Sequence, residues 1–239
     1  MFHHPTKSHW LVESKDIEIL DTDRRANTQT PLRLPTNDPV LSEKSIKILR
    51  EVLYWARGFL AHPHQHLGRT GNVCPFAKGS LTKNLFWMNI QQGIPTSDSL
   101  GVLMGDMLNW FIELEPNHQD DDSVYKTILT IFPDIIEDDS EKILDSLQQN
   151  LKTRFVEKGF MIGQFYKGCK EKGIRNPEFL PLQSPAPLLA IRKMVPTDIV
   201  FLSSNQEHWN AYKKLFSIDD LPETFKEIFD QTESIFHSK

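Results

Sequence analysis

From residue 42 onward, short apolar runs alternate with stretches of helical periodicity, and this restricts the chain to a sheet packed against helices. Ser42 offers an N-cap, and Ile46, Leu49, Val52, Leu53, Ala56, Phe59 and Leu60 then recur at helical spacing until Pro63. Phe76 to Leu81 reads as a short helix and Leu85 to Ile90 as a buried strand. After the turn at Gly93 and Pro95, Ser97 or Asp98 is expected to cap a second helix whose apolar side runs from Leu100 to Ile112. Tyr125 to Phe132 suits a strand closed by Pro133, and Ser140 is expected to cap a third helix ending at Gly159. Phe160 to Phe165 returns as a strand and 168–187 as a proline-rich loop. Leu188 to Met194 is extended, and helices follow from Pro196. The expected class is α+β or α/β: a small mixed or antiparallel sheet covered by helices, with a helical C-terminus.

Residues 1–41 lack sustained periodicity, so they read as an extended arm docked through Trp10, Leu11, Ile17, Ile19 and Leu20. Residues 42–239 read as one globular domain with a helical C-terminal part.

Composition narrows the classes of partner. Among 239 residues, 39% are hydrophobic and 25% charged, and no apolar run reaches the roughly 20 residues of a membrane span. No export leader is read at the N-terminus, so the expected location is cytoplasmic and Cys74 and Cys169 are expected as free thiols. The net charge is −5, with ten acidic residues against one lysine over 113–141. Eight basic residues stand against three acidic ones over 142–175, which is not the basic stripe of a nucleic-acid binder. A small-molecule partner is expected, without nucleic acid or membrane; the oligomeric state is left open.

Chemistry concentrates in residues 62–76, HPHQHLGRTGNVCPF. Cys74, followed by the rigid Pro75 and then Phe76, suits a nucleophile, a redox centre or an iron ligand, or else a small buried thiol before a helix. His62, His64 and His66 alternate, so an extended backbone would aim three imidazoles at one metal. The neighbouring turn residues favour a solvated cluster instead. Gly68-Arg69-Thr70-Gly71 is either an anion-binding turn or an ordinary one. Tyr166 offers a proton donor or a phenolate ligand, or else a core-edge tyrosine. Arg192 ends an apolar run and must meet either a ligand anion or a carboxylate, with Asp198 the nearest in sequence.

These segments carry a resemblance. His64, the run Leu67–Phe76, Gly159–Phe165, Asn176-Pro177 and Ser184–Leu202 resemble a largely bacterial family known as a domain of unknown function, over about residues 55–202. Its pattern reads P-H-x-x-L-G-R-x-G-x-V-C-P-F, then G-x-F-H-P, then S-P-x-P-L-L-A-I-R-x-M-V-x-x-D; His62 and His66 lie outside it. The chain is also distantly similar to YqcI/YcgG-like proteins, some of which are haem-dependent oxygenases acting on amino groups. That similarity implies a haem-binding oxidoreductase of a biosynthetic kind, acting on a small amino-bearing metabolite. Cys74 or His64 would be iron ligands, with Cys74, His64 and Tyr166 in catalytic roles. Gly68, Arg69, Gly71, Pro75, Phe76 and Arg192 would line the cofactor site. Where the family has Phe-His-Pro, this chain has Phe165-Tyr166-Lys167, so Tyr166 or another histidine would replace that histidine. The alternatives are a non-haem metal enzyme using His62, His64 and His66, and a non-catalytic binding module.

Overall fold

A computed structural model describes residues 2–3, 10–17, 42–94 and 96–237. Its framework is a mixed sheet of β1 (Phe2–His3), β2 (Trp10–Glu13), β3 (Phe86–Ile90), β4 (Thr127–Ile131), β5 (Phe160–Phe165) and β6 (Leu188–Lys193), in the order β1-β2-β3-β4-β6-β5. Strands β3 and β4 run parallel, and the other neighbours are antiparallel. The parallel pair needs a crossover, which α3 (Ser97–Glu113) provides. The other helices are α1 (Glu43–Trp55), α2 (Ala77–Thr82), α4 (Glu137–Ser140), α5 (Ser146–Glu157), α6 (Ile199–Leu202), α7 (Gln206–Lys213) and α8 (Glu223–His237).

Alternation along the strands divides the core into two layers. Trp87, Ile128, Ile162, Leu189 and Ile191 point to the face covered by α3 and α5. Phe86, Met88, Leu129, Ile131 and Leu188 point to the opposite face, covered by α1. A third apolar cluster joins Met161 and Met194 to α6, α7 and α8.

Ser42 caps α1 as expected, its hydroxyl accepting the Ser45 N–H at 3.1 Å. Two other caps are corrected. Thr96 caps α3, accepting the Ser99 N–H at 3.2 Å, so the helix begins before either expected residue could serve. Ser140 lies inside a helical run that begins at Glu137, and its hydroxyl donates back to the Ile136 carbonyl at 2.9 Å. That run widens into π-turns at Glu141–Asp145 before α5, as α1 does at Ala56–Leu60.

The N-terminal segment contributes a strand that periodicity did not reveal. Val12 pairs with Met88 and Glu13 with Trp87, Leu11 and Ile17 are buried, and Trp10 is half-buried. Ile19 and Leu20 lie outside the described residues. No described helix is long and apolar enough to cross a membrane.

Candidate functional site

The 62–74 loop is held closed by its own backbone. Cys74 N–H donates to the Leu60 carbonyl and Val73 N–H to the His62 carbonyl, both at 2.9 Å, while Pro63 bridges to Asn72. Gly68 and Gly71 turn the tip at φ +74° and +88°, a backbone region that costs little only for glycine. Gly68 also presses onto the 175–179 segment, where an added Cβ would lie 2.9 Å from Arg175 Cβ. Asn176 Nδ2 donates to the His66 carbonyl at 2.8 Å and ties the two loops together.

Arg69 takes part in this brace. Its Nη1 donates to the Thr70 carbonyl at 2.9 Å and its Nη2 to the Val73 carbonyl at 3.0 Å. Two of its five N–H donors thus brace the turn.

The three alternating histidines are not aligned as an extended strand would align them, because 62–67 bends through turns; of the three, His64 and His66 meet, with ring centroids 5.5 Å apart. His64 stacks on Phe179 with ring centroids 4.7 Å apart and meets Phe59 edge-on at 5.8 Å. Its Nδ1 accepts the His66 N–H at 3.2 Å, leaving Nε2 for any other partner. His66 Nε2 lies 3.1 Å from Gln65 Nε2, and His62 is exposed. Among the described residues, no three His, Cys, Asp or Glu side chains gather to hold a metal.

Cys74, Phe76 and Arg192 do come together, although more than a hundred residues separate the two segments. Strand parity sends Arg192 to the α1 face with Leu188 and Ala190. There its guanidinium carbon lies 5.6 Å from the Phe76 ring centroid, a cation–π distance. Cys74 is half-buried against the same apolar layer and near enough for a thiolate there to favour the Arg192 charge. Pro75 is exposed beside it. Gly163 pairs with Ala190 on the adjoining strands, both are partly exposed, and the Phe165 ring lies 3.6 Å from where a Cβ on Gly163 would stand.

Asp198 answers Arg192. Its carboxylate is buried and takes two hydrogen bonds from the guanidinium, Nη1 to Oδ2 at 2.7 Å and Nη2 to Oδ1, while Nη1 also reaches the Lys193 carbonyl at 3.0 Å. Burial opposes the charge on Arg192, but the Asp198 carboxylate and its hydrogen bonds outweigh it and hold the guanidinium above its ordinary pKa. Of the two expected partners, the carboxylate is present.

Tyr166 stands on the other side of the sheet. The next residue after Phe165 points to the opposite face, and Tyr166 packs with Cys169, Ile162 and Leu189 in the α3 and α5 layer. Its hydroxyl donates to Asp145 Oδ2 at 3.1 Å. Burial, with Cys169 and Asp145 alongside, pushes the phenol pKa up, and burial likewise raises that of Cys169. These groups border a cavity of about 340 Å³ lined by Glu141, Asp145, Tyr166, Lys170, Glu171 and Lys172. Asp145 carried no motif signal; the π-turn that presents it is visible only in the folded chain.

Residues 49–227 match the family described as domain of unknown function DUF6875, and the chain belongs to that family. No curated protein and no solved structure matches it.

Proposed function

Taking that membership as the starting point, we propose that the chain is a small-molecule oxidoreductase whose site is the Cys74–Phe76–Arg192 face. The observation that carries this reading is the meeting of two distant motif segments, with the Arg192 guanidinium over the Phe76 ring beside a half-buried thiol.

The distant similarity to haem-dependent oxygenases supplies the finer part of the proposal: haem as cofactor and an amino-bearing metabolite as substrate. Haem iron, when bound, supplies the oxidation chemistry. Cys74 fits as the donor, since it is the soft ligand on this face. His64 offers only Nε2, and Tyr166 lies across the sheet with its phenol held protonated. The pair of propionate clamps does not fit, because Arg69 and Arg192 already bind loop carbonyls and Asp198. In this reading Arg192 acts as a fixed positive charge beside the thiol, oriented by Asp198.

Titrating the purified protein with hemin tests it. The expected result is a saturable Soret shift that Cys74→Ser abolishes or moves, while Cys169→Ser leaves it unchanged. No shift in the native protein removes haem from the proposal. A shift indifferent to Cys74→Ser removes the assigned ligand.

A further inference from the structure

Strands β3 and β4 lie in the middle of the sheet and are covered on both faces, so their side chains are expected to be apolar. Asn89 and Thr130 break that pattern. They stand directly opposite each other in the parallel register, at 4% and 0% exposure. Strand parity sends Asn89 with Trp87, and Thr130 with Ile128, to the face under α3.

Their polar atoms are only partly used. Asn89 Nδ2 donates to the Trp10 carbonyl on β2 at 2.7 Å, which fixes the side-chain amide and leaves Oδ1 as its other arm. Asn89 Oδ1 and the Thr130 hydroxyl are buried and have no hydrogen-bond partner among the described residues. The Trp87 indole N–H, on the same face of β3, has none there either. Burying such atoms without partners is costly, yet the two cross-strand neighbours do not bond to each other.

We propose that internal water occupies the β3–β4 floor beneath α3, donating to Asn89 Oδ1 and sharing a hydrogen bond with the Thr130 hydroxyl. An acceptor on one strand and a hydroxyl on the next give the two polar partners that a buried water requires. Both residues are sealed from solvent, which rules out a larger molecule. Neutral amide and hydroxyl groups are poor metal ligands, and no His, Cys, Asp or Glu cluster suited to a metal gathers among the described residues. Asn89 then links two regions. One end of its amide holds β2, which precedes the family-matched residues 49–227, and the other holds the water on the β4 side.

A crystal structure of the full chain that resolves ordered solvent tests this. The expected result is a water within hydrogen-bond distance of both Asn89 Oδ1 and Thr130 Oγ1. A direct Asn89–Thr130 hydrogen bond, or a dry contact between the two, would overturn the proposal. In solution, oxygen-17 relaxation dispersion reads long-lived waters without interference from protein hydroxyls. Thr130→Val keeps the shape and removes the hydroxyl, and it is expected to lose the amplitude of one such water. Thr130→Ser keeps the hydroxyl and is expected to retain that amplitude. Equal amplitudes in the native chain and Thr130→Val would overturn the assignment, and so would a loss in both variants, which would trace to altered packing. Asn89 and Thr130 lie on the face opposite Cys74, so failure here leaves the haem reading to its own titration.

Discussion

Gly68 combines two constraints that most glycines meet singly. Its φ of +74° disfavours any side chain, and the space a Cβ would take is filled by Arg175. Gly93 has a similar φ of +81° but open surroundings, with nothing within 4 Å of an added Cβ. Gly68→Ala is therefore expected to cost about 2 kcal/mol or more in denaturant unfolding, and Gly93→Ala about 1 kcal/mol. Equal costs would mean that backbone conformation alone sets the requirement at Gly68. The need for a glycine-rich turn was legible in Gly68-Arg69-Thr70-Gly71. What Arg69 does was not, because an arginine that binds a ligand and one that binds its own loop have the same local sequence.

Among elements, the tie between β6 and the turn after it rests on Arg192 and Asp198. Asp198 is 2% exposed and also accepts the Val195 N–H at 2.8 Å, so it fixes the chain entering α6 as well as the guanidinium. Removing the carboxylate leaves a cation in a largely apolar layer. Asp198→Asn is expected to lower stability by about 2–3 kcal/mol, and the double change Asp198→Asn with Arg192→Met by less than the two single costs combined. Additive losses in that double-mutant cycle would show that the two residues act independently. The segment Leu188–Met194 reads as extended from its apolar run, and the structure makes it a strand over Leu188–Lys193. Its two-residue period then dictates that Arg192 and Ala190 share a face. Which helix covers that face could not be read, since the apolar sides of α1, α3 and α5 are alike in composition.

Across the whole molecule, buried cations make stability depend on pH. Lys126 is buried, donates to the Leu114 and Pro116 carbonyls and lies 4.9 Å from the Phe111 ring centroid; burial pushes its pKa down to about 8. As a neutral amine it still supplies both hydrogen bonds. Between pH 8 and pH 10.5 the unfolded chain holds the extra proton, so this site makes the fold more stable as pH rises. Relative to Lys126→Met, the native protein should gain about 3 kcal/mol of unfolding free energy across that window. Buried groups common to both proteins, such as Tyr166, Tyr212 and Cys169, cancel in the difference. A flat difference curve would mean that Lys126 titrates as an ordinary lysine.

The sequence alone determined the kinds and order of most elements from residue 42 on, because hydrophobic period, caps and proline or glycine breaks act over a few residues. It also singled out two motif segments, at Cys74 and at Arg192. Tertiary structure decided everything that depends on distance in space: the strand order, the sheet role of Trp10–Glu13, and the choice of Asp198 as the partner of Arg192. It likewise separated Tyr166 from Cys74 by one residue of strand parity. Local patterns state which way a side chain points along its own element, whereas what it meets there is set by elements a hundred residues away.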